Sequence, residues 1–416
     1  MIAEALAARR AIEALRAGVP NHEAVAALGC EQPALLQRFG TLLDAVEGAG
    51  DRQPPGLVLE GGFGAGKSHL LEHLRGVAAA RRFVVSTVAV SKETPLHDPI
   101  RFYRAALAGA RLPDRRGALL TEVAASLDFT APAVRALLEG LPGLDPRFAL
   151  TLAIYERRRH DPETTGKLVR FWAGENLQLP LLKTYARACG LAVPALARLD
   201  LKHLAVQRFT FAARLVQAAG YGGWILLVDE AELIGRYTLL QRARAYAAAG
   251  FWLGALAKGG VPGIGTVLAL TDDFVSAVLE EREDLEKVPG KLQARGTETD
   301  LLIAGQAERG MRMLQKDRVA LRPPDHAMLD AVYGRLRELH GRAFGWTPPD
   351  VPSVERLAST RMRQYVRGWI TEWDLLRLDP AYQPRLEAVP LHFDYREDAD
   401  LATPPEGDDE PGGWGS

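Results

Sequence analysis

Apolar positions along the chain follow two patterns, one typical of helices and one of buried strands. In the first 48 residues they recur three and four apart, as in Leu35, Phe39, Leu42 and Leu43, which predicts amphipathic helices. Later apolar runs are short, continuous and bounded by turn residues, as in strands buried inside a parallel sheet. Four such runs predict strands, at residues 56–60, 83–90, 224–228 and 266–270.

Helical spacing returns between these runs. It covers residues 67–80, 99–110, 203–219 and 239–257. Residues 113–204 show no convincing strand and have helical spacing between breaks at prolines 132, 142, 162, 180 and 194, which predicts an all-helical insertion. The run Asp300-Leu301-Leu302-Ile303 predicts a last strand, followed by a C-terminal helical lid. Strands that alternate with helices predict an α/β fold with a parallel sheet core.

These patterns divide the chain into six predicted segments. They are an N-terminal helical segment (1–48), a first half of the sheet core (49–111), the helical insertion (112–202), a second half of the core (203–303), the helical lid (304–393) and a disordered acidic tail (394–416).

Composition excludes a disordered or fibrous protein, because 47% of the 416 residues are hydrophobic and 25% are charged. The formal net charge is −1, which lacks the basic excess of a DNA-packaging protein. Residues 394–416 hold eight acidic residues and one basic, so the tail carries −7 and the rest of the chain +6. This division leaves DNA open as a partner.

Cysteine and targeting signals are sparse. Cys30 and Cys189 form no CxxC pair, which argues against a disulfide framework and a zinc site. Glu4 and the Arg9–Arg10 pair interrupt any signal peptide, and no run reaches the ~18 apolar residues of a membrane span. We therefore expect a cytoplasmic protein with no membrane contact.

A glycine-rich segment between the first predicted strand and the helix 67–80 matches the pattern GxxxxGK[ST] in full. Glycines let backbone N–H groups surround phosphates, Lys67 reaches the β- and γ-phosphates, and the Ser68 hydroxyl binds Mg²⁺. This predicts a P-loop NTPase, with an ordinary glycine-rich turn as the alternative. The predicted nucleotide-binding residues of this segment are Gly61, Gly62, Phe63, Gly64, Ala65, Gly66, Lys67, Ser68 and His69.

Two acids follow the most apolar predicted strand. Asp229 is typical of the residue that holds Mg²⁺ in a Walker B strand, and Glu230 of the one that polarises the attacking water. The alternative is a surface turn after a strand. Glu232 is interpreted as a solvated residue at a helix start, and His97 has no metal-like partners, so Mg²⁺ is the only metal expected.

Further candidates carry weaker signals. Thr271, which follows the strand 266–270, is predicted as a sensor of the γ-phosphate or the water, with a helix N-cap formed by Thr271 or Asp272 as an equal alternative. Arg295 is the candidate for an arginine finger that reaches a neighbouring subunit's nucleotide, and Arg282 is its rival. A solvated charge is the alternative for both.

Basic residues elsewhere allow two readings each. Arg363 is the predicted lid residue that reaches back to the phosphates, with Arg361 and Arg367 as its neighbours and a salt-bridged helix face as the alternative. Residues 157–159 are three arginines that could meet nucleic acid, although such a run is usually a solvated face.

Several blocks together resemble the ATP-binding proteins of bacterial BREX phage-defence systems, a branch of the AAA+/ORC-like ATPases. The specific blocks are residues 11–21, which read AIEALRAGVPN, and 90–96, which read VSKETPL. The loop 61–70 and residues 227–232 also match, but the loop is common to all P-loop NTPases. The lid residues 361–376 are similar more loosely.

The resemblance implies an AAA+ core with an additional central strand, ATP and Mg²⁺ as cofactors, and a role in defence against foreign DNA. By position, the resemblance implies that Lys67 and Ser68 bind phosphate and Mg²⁺. It also implies that Asp229 binds Mg²⁺ and that Glu230 acts on the attacking water. The resemblance implies other defence-system proteins as partners. It leaves undecided whether the chain also forms a homo-oligomer. Residues 91–95 are read as a strand-to-helix turn or as a contact with a subunit or DNA.

Three functions therefore remain open at this stage. The first is an ATP hydrolase whose nucleotide cycle drives a conformational change in a DNA-associated defence complex. The second is a nucleotide-gated binding module or signalling switch with little turnover. The third is an initiator-like DNA loader that uses basic helices of the insertion or the lid.

Overall fold

A six-stranded sheet forms the centre of the fold. The computed structural model describes residues 2–48, 50, 52–197, 200–254, 260–351, 362–383, 395, 397 and 398. The strands are β1 (Leu57–Glu60), β2 (Val84–Ala89), β3 (Ala110–Arg111), β4 (Trp224–Asp229), β5 (Ile264–Leu270) and β6 (Arg318–Ala320). Their order across the sheet is β3-β2-β4-β5-β1-β6.

The sheet is parallel except at one edge, where β3 runs antiparallel to β2. The predicted α/β fold with a parallel sheet core is confirmed in this form. All four apolar runs are strands within two residues of their predicted bounds. The edge strands β3 and β6 were not predicted, because two and three residues are too short to show an apolar run.

Helices surround the sheet. Those in the described part of the chain are α1 (Ile2–Ala17), α2 (His22–Leu28), α3 (Pro33–Glu47), α4 (Lys67–Ala80), α5 (Pro99–Ala108), α6 (Leu119–Ala125), α7 (Pro132–Glu139), α8 (Pro146–Arg157), α9 (Pro162–Trp172), α10 (Leu179–Ala188), α11 (Leu201–Ala218), α12 (Leu239–Trp252), α13 (Asp284–Arg295), α14 (Glu298–Lys316), α15 (His326–Phe344) and α16 (Met362–Leu378). A 3₁₀ turn covers Ala231–Arg236 and a π-helical turn Val275–Glu281.

The two faces of the sheet pack against different helices, because successive side chains of a strand point to opposite sides. On one face, Leu59 and Leu227 of the strands pack with Phe39 of α3 and Leu74 of α4. On the opposite face the strands pack on α5, α11 and α12, where Trp224 contacts the ring of Phe209 at 5.5 Å between centroids. The sheet therefore lies between two helical layers.

Five helices, α6 to α10, lie between β3 and α11, where an insertion was predicted. Their apolar side chains join the core on the α11 side of the sheet instead of forming a separate one. Trp172 of α9 contacts Phe211 of α11 at 5.4 Å, and its indole N–H donates to the Thr151 hydroxyl at 2.9 Å. The segment is thus fixed to the sheet core through α11.

The N-terminal and C-terminal helices pack on each other beside the sheet. Ile12 and Leu15 of α1 share an apolar core with Leu336 of α15 and with Trp369 and Trp373 of α16. The first predicted segment is therefore divided, since α3 packs on the sheet whereas α1 and α2 pack on the C-terminal helices.

The predicted strand at residues 300–303 is wrong. These residues lie in the first turns of α14, which begins after Thr297, whose hydroxyl accepts from the Asp300 N–H at 3.1 Å. Ile303 starts a buried stripe with helical spacing, while Leu301 and Leu302 are about half exposed. A short apolar run concealed the period of the helix.

The predicted disordered tail, residues 394–416, lies largely outside the described residues, as does Arg361. Tyr395, Glu397 and Asp398 are described, and they contact α12 and the turns that follow β4 and β5. For these three residues the prediction of disorder is wrong.

Within the described ranges, no helix combines the length and the apolar character that a membrane crossing requires.

Candidate functional site

The glycine-rich loop joins β1 to α4 at the carboxyl edge of the sheet. Gly64 and Gly66 have φ of +78° and +105°, which residues with a Cβ rarely adopt. Lys67 begins α4 and is buried, and its ammonium group donates to the Gly61 carbonyl at 2.6 Å and the Gly62 carbonyl at 3.4 Å. The loop thus surrounds the Lys67 ammonium group. This cation lies beside the place where the loop would bind a phosphate.

Ser68 and Asp229 meet although 161 positions separate them in the chain. Asp229 ends β4, and its Oδ2 accepts from the Ser68 hydroxyl at 2.7 Å. A hydroxyl and a carboxylate oxygen are the hard donors that Mg²⁺ prefers, and Mg²⁺ usually keeps several waters beside one or two protein ligands. This pair therefore fits a magnesium ion.

Glu230 has strained backbone geometry. Its φ of 56° and ψ of 30° lie in the left-handed region, at a cost of about 1–2 kcal/mol for a residue with a side chain. Its N–H donates to Asp229 Oδ1 at 2.9 Å. Burial and the Asp229 charge raise the pKa of Glu230, whereas Lys67 and Arg363 oppose that rise. The left-handed turn therefore places Glu230, whose carboxyl is only partly buried, directly after Asp229, one of the two Mg²⁺ donors.

Glu232 is buried and not solvated, so its interpretation as an exposed helix-start residue is wrong. Its side chain lies in the 3₁₀ turn after β4 and is 4% exposed. Its Oε2 has no hydrogen-bond partner among the described residues. Burial raises the pKa of Glu232 to about 7, although the Lys67 charge acts to lower it. Lys67 thus has a third carboxyl in its surroundings.

Thr271 follows β5 and is 2% exposed. Its hydroxyl bonds to the Tyr395 hydroxyl, which also donates to Asp273 Oδ1 at 2.6 Å. The π-helical turn that follows has no side-chain cap, so the Thr271 hydroxyl does not act as the alternative N-cap. Sequence reasoning missed Tyr395, because it stands in an acidic stretch without any motif.

The candidate finger arginines occupy different places. Arg295, at the end of α13, donates to Asp300 at 3.0 Å at the corner with α14. Arg282 donates to the Gly235 carbonyl at 2.7 Å and to Glu397 at 2.9 Å, and so lies with the Tyr395 segment. A role for Arg295 towards a second subunit stays a prediction.

Arg363 is the lid arginine that reaches the loop. Its guanidinium lies over the Phe63 ring at 5.2 Å, and its backbone N–H donates to the Gly64 carbonyl at 3.1 Å. Arg367, one turn later, is exposed. The start of α16 is therefore tied directly to the glycine-rich loop.

His69 points away from the loop, towards the end of α2. Its Nε2 lies 2.8 Å from the Gly29 carbonyl, and burial lowers the pKa of this histidine. A neutral imidazole with its proton on Nε2 satisfies this contact. His69 thus joins α4 to α2 instead of turning into the loop.

A cleft that is open to solvent lies beside the loop. Gly64, Ala65, Gly66 and Ser68 form one wall, and α1, α2, α15 and α16 supply mostly apolar side chains to the others. Leu28, Met328 and Val332 are among these, with Gln32 and Arg335 as polar neighbours. A mostly apolar cleft with a few polar groups is typical of a site for a small organic ligand.

A comparison with protein families identifies the chain. The family model described as BREX system ATP-binding protein BrxC/D matches residues 4–123 and 144–371. The chain belongs to this family. Neither a curated protein nor a solved structure gives a match.

The two blocks that carry the BREX resemblance each include a turn in this BrxC/D-family member, the first between α1 and α2 and the second after β2. Asn21 caps α2 by accepting from the Ala24 N–H at 2.9 Å, and Gly18 has φ of +77° beside the Arg363 side chain. In the second block, Ser91 Oγ accepts from the Thr94 N–H at 3.2 Å after β2. The first turn borders the site through Gly18, which lines the cleft, and the second because Ala89 of β2 is paired with Asp229.

The three arginines at residues 157–159 make local contacts in the BrxC/D-family chain. Arg157 and Arg158 donate to carbonyl groups at the end of α10, and Arg159 lies over the Phe129 ring at 5.1 Å. His97 is partly exposed and its ring contacts that of Tyr237 at 5.2 Å, and desolvation of the imidazole lowers its pKa to about 4. Contact of the arginines at residues 157–159 with nucleic acid stays a prediction.

Proposed function

We propose that this BREX ATP-binding protein hydrolyses ATP with Mg²⁺ and uses the nucleotide cycle to change the conformation of a DNA-associated defence complex. The observation that carries the proposal is the meeting of Lys67 and Ser68 with Asp229 and Glu230 at one sheet edge. Phosphate-binding, metal-binding and water-activating groups are the three that phosphoryl transfer to water needs.

Each residue has a proposed role. The backbone N–H groups of the loop and Lys67 bind the phosphates, while Ser68 and Asp229 hold Mg²⁺, which neutralises developing charge on them. Glu230 orients the water and accepts its proton. The cleft between the loop and the C-terminal helices takes the base.

The topology supports an AAA+ type of P-loop fold. β5 lies between β1, which leads into the loop, and β4, which ends at Asp229, so it has the position of an additional central strand. Thr271 follows that strand and is the proposed sensor. In this scheme α6 to α10 are the helical insertion, and α15 and α16 form the lid.

The hydrolase proposal is tested by phosphate release from wild type and Glu230→Gln. The variant should lose about 10²-fold or more in rate while still binding ATP, since a positioned base contributes that much. Glu283→Gln is the matched control, because Glu283 also has a left-handed backbone, at φ of 62°, and lies after the π-helical turn. Equal rates near zero for wild type and Glu230→Gln would refute hydrolysis.

Lys67→Ala tests nucleotide binding by itself. Removal of the ammonium group takes away the buried cation of the loop, so titration with a fluorescent ATP analogue should show no saturable binding. Unchanged affinity would show that the loop does not hold the phosphates.

A nucleotide-gated switch with little turnover is the second candidate, and the link between Arg363 and the loop favours it. A nucleotide that displaces Phe63 or Gly64 must move the start of α16. ATP-dependent assembly with other defence proteins or a second copy should then persist in Glu230→Gln. Loss of assembly in that variant would favour the hydrolase instead.

A further inference from the structure

Tyr395, Glu397 and Asp398, named below as the C-terminal segment, pack against the turns that follow β4 and β5. The Tyr395 ring lies 6.1 Å from the Phe274 ring, centroid to centroid. On its other side it fills the space at Gly235, where a Cβ would come within 3.0 Å of Tyr395 Cδ1. The tyrosine therefore fits a place shaped for an aromatic ring.

Acidic residues of the same segment hold it in place. Glu397 accepts from Arg242 and Arg282, both at 2.9 Å, and Arg242 is itself buried. The Asp398 side chain pairs with Arg236, whose carbonyl accepts from the Asp398 N–H at 3.1 Å. Contacts to three arginines on two turns and α12 thus hold the chain just after the ring.

The hydrogen bonds of Tyr395 determine which way the Thr271 hydroxyl points. A carboxylate only accepts, so the Tyr395 hydroxyl uses its single proton on Asp273 Oδ1 at 2.6 Å. Burial and Asp273 both raise the pKa of Tyr395, which keeps that proton in place. The bond between Thr271 and Tyr395 must then use the Thr271 proton.

The Thr271 hydroxyl can therefore only accept a hydrogen bond from any further partner. Phosphate oxygens near neutral pH are acceptors, so Thr271 in this state does not donate to the γ-phosphate. A water molecule has protons to give, and Thr271 can accept one of them. Thr271 is therefore suited to accept a hydrogen bond from water and not to donate one to a phosphate.

We propose that Tyr395 is a positioning residue, which with Asp273 turns the Thr271 hydroxyl so that Thr271 accepts a hydrogen bond from the attacking water. The inference rests on the proposed hydrolase function. Two acceptors, Glu230 and Thr271, then orient the water, and Glu230 takes its proton. A segment near the end of the chain completes the site.

Tyr395→Phe removes the hydroxyl but keeps the ring that fills the space at Gly235 and Phe274. We expect kcat for ATP hydrolysis to fall about 3- to 10-fold, the effect of one hydrogen bond, with KM within about twofold. Thr271→Val should lower kcat at least as much, whereas Thr271→Ser should retain most activity. The pair Tyr395→Phe with Thr271→Val should match Thr271→Val alone, because both act through one hydroxyl.

Tyr221→Phe is the matched control. It also removes a tyrosine hydroxyl that donates to an aspartate, Asp114 at 2.7 Å, but it lies beside β3 and away from the loop. Its kcat should equal that of wild type. Thermal unfolding of each variant shows whether the fold is retained.

Three results would overturn the inference. An unchanged kcat in Tyr395→Phe would show that the hydroxyl positions nothing, and a raised kcat would show that the segment blocks Thr271. Multiplicative losses in the double variant would mean independent roles. If wild type releases no phosphate, the hydrolase proposal and this inference fail together; if wild type is active and Tyr395→Phe equals it, only the inference fails.

Discussion

Glu232 carries a prediction about stability that depends on pH. The residue is 4% exposed, one carboxyl oxygen has no partner among the described residues, and Lys67 is the cation that attracts it. Asp229 and Glu230 repel its charge. Glu232→Gln keeps the size of the side chain and removes its titration. Stability of the two proteins should therefore differ by an amount that changes with pH.

The sign and size follow from the two pKa values. Burial raises the pKa of Glu232 to about 7 in the folded protein, against an ordinary value of 4.5. Between these values the folded chain binds a proton that the unfolded chain has released, so the free energy of unfolding falls as pH rises. The whole effect is about 3 kcal/mol, of which about 2–3 kcal/mol falls between pH 5 and pH 8.

Urea unfolding of wild type and Glu232→Gln at pH 5 and pH 8 measures this difference. Relative to wild type, the variant should gain about 2–3 kcal/mol between the two pH values. A constant offset from the buried amide cancels, because the same offset is present at both pH values. Glu283→Gln, an exposed control, should show no such gain. A pH-independent difference for Glu232→Gln would refute the reasoning.

Three further predictions concern the metal, the lid and the tail. Ser68→Ala should weaken ATP binding about tenfold with Mg²⁺ but not with EDTA, in calorimetry, because it removes one proposed metal ligand. Arg363→Met should reduce the rise in melting temperature on ATP addition, because the contact with Phe63 is lost. Truncation after Asp398 removes five acidic residues and no basic one, so affinity for duplex DNA at low salt should rise in fluorescence anisotropy. Equal DNA affinities would make the tail a solubilising end.

Local patterns were sufficient where the structure depends on neighbours in the sequence. The strands that lead to Gly61 and Asp229 are apolar runs bounded by turn residues, so both could be placed within two residues. The predicted binding of Mg²⁺ by both Ser68 and Asp229 requires the two motifs to meet, and the carboxyl ends of parallel strands share one edge of a sheet. The bond from Ser68 to Asp229 is that meeting.

Local patterns failed where packing over a distance decides the outcome. Residues 300–303 form an apolar run, but the burial of Ile303 with later residues of α14 follows helical spacing. Glu232 looked solvated, although the 3₁₀ turn directs it inward beside Lys67. The sequence near Tyr395 gives no periodic signal at all, because its contacts are made with Thr271 and Asp273, more than 120 residues earlier.

The contacts of Glu397 and Asp398 show that the negative charge of the tail is not independent of the positive charge of the rest of the chain. Counted by sequence, a body of +6 is joined to a tail of −7, as if the two were independent. In the structure Glu397 and Asp398 neutralise Arg236, Arg242 and Arg282, which lie around the turn after β4. Part of the tail charge is therefore structural, since removal of these acids would leave a buried arginine with less compensation.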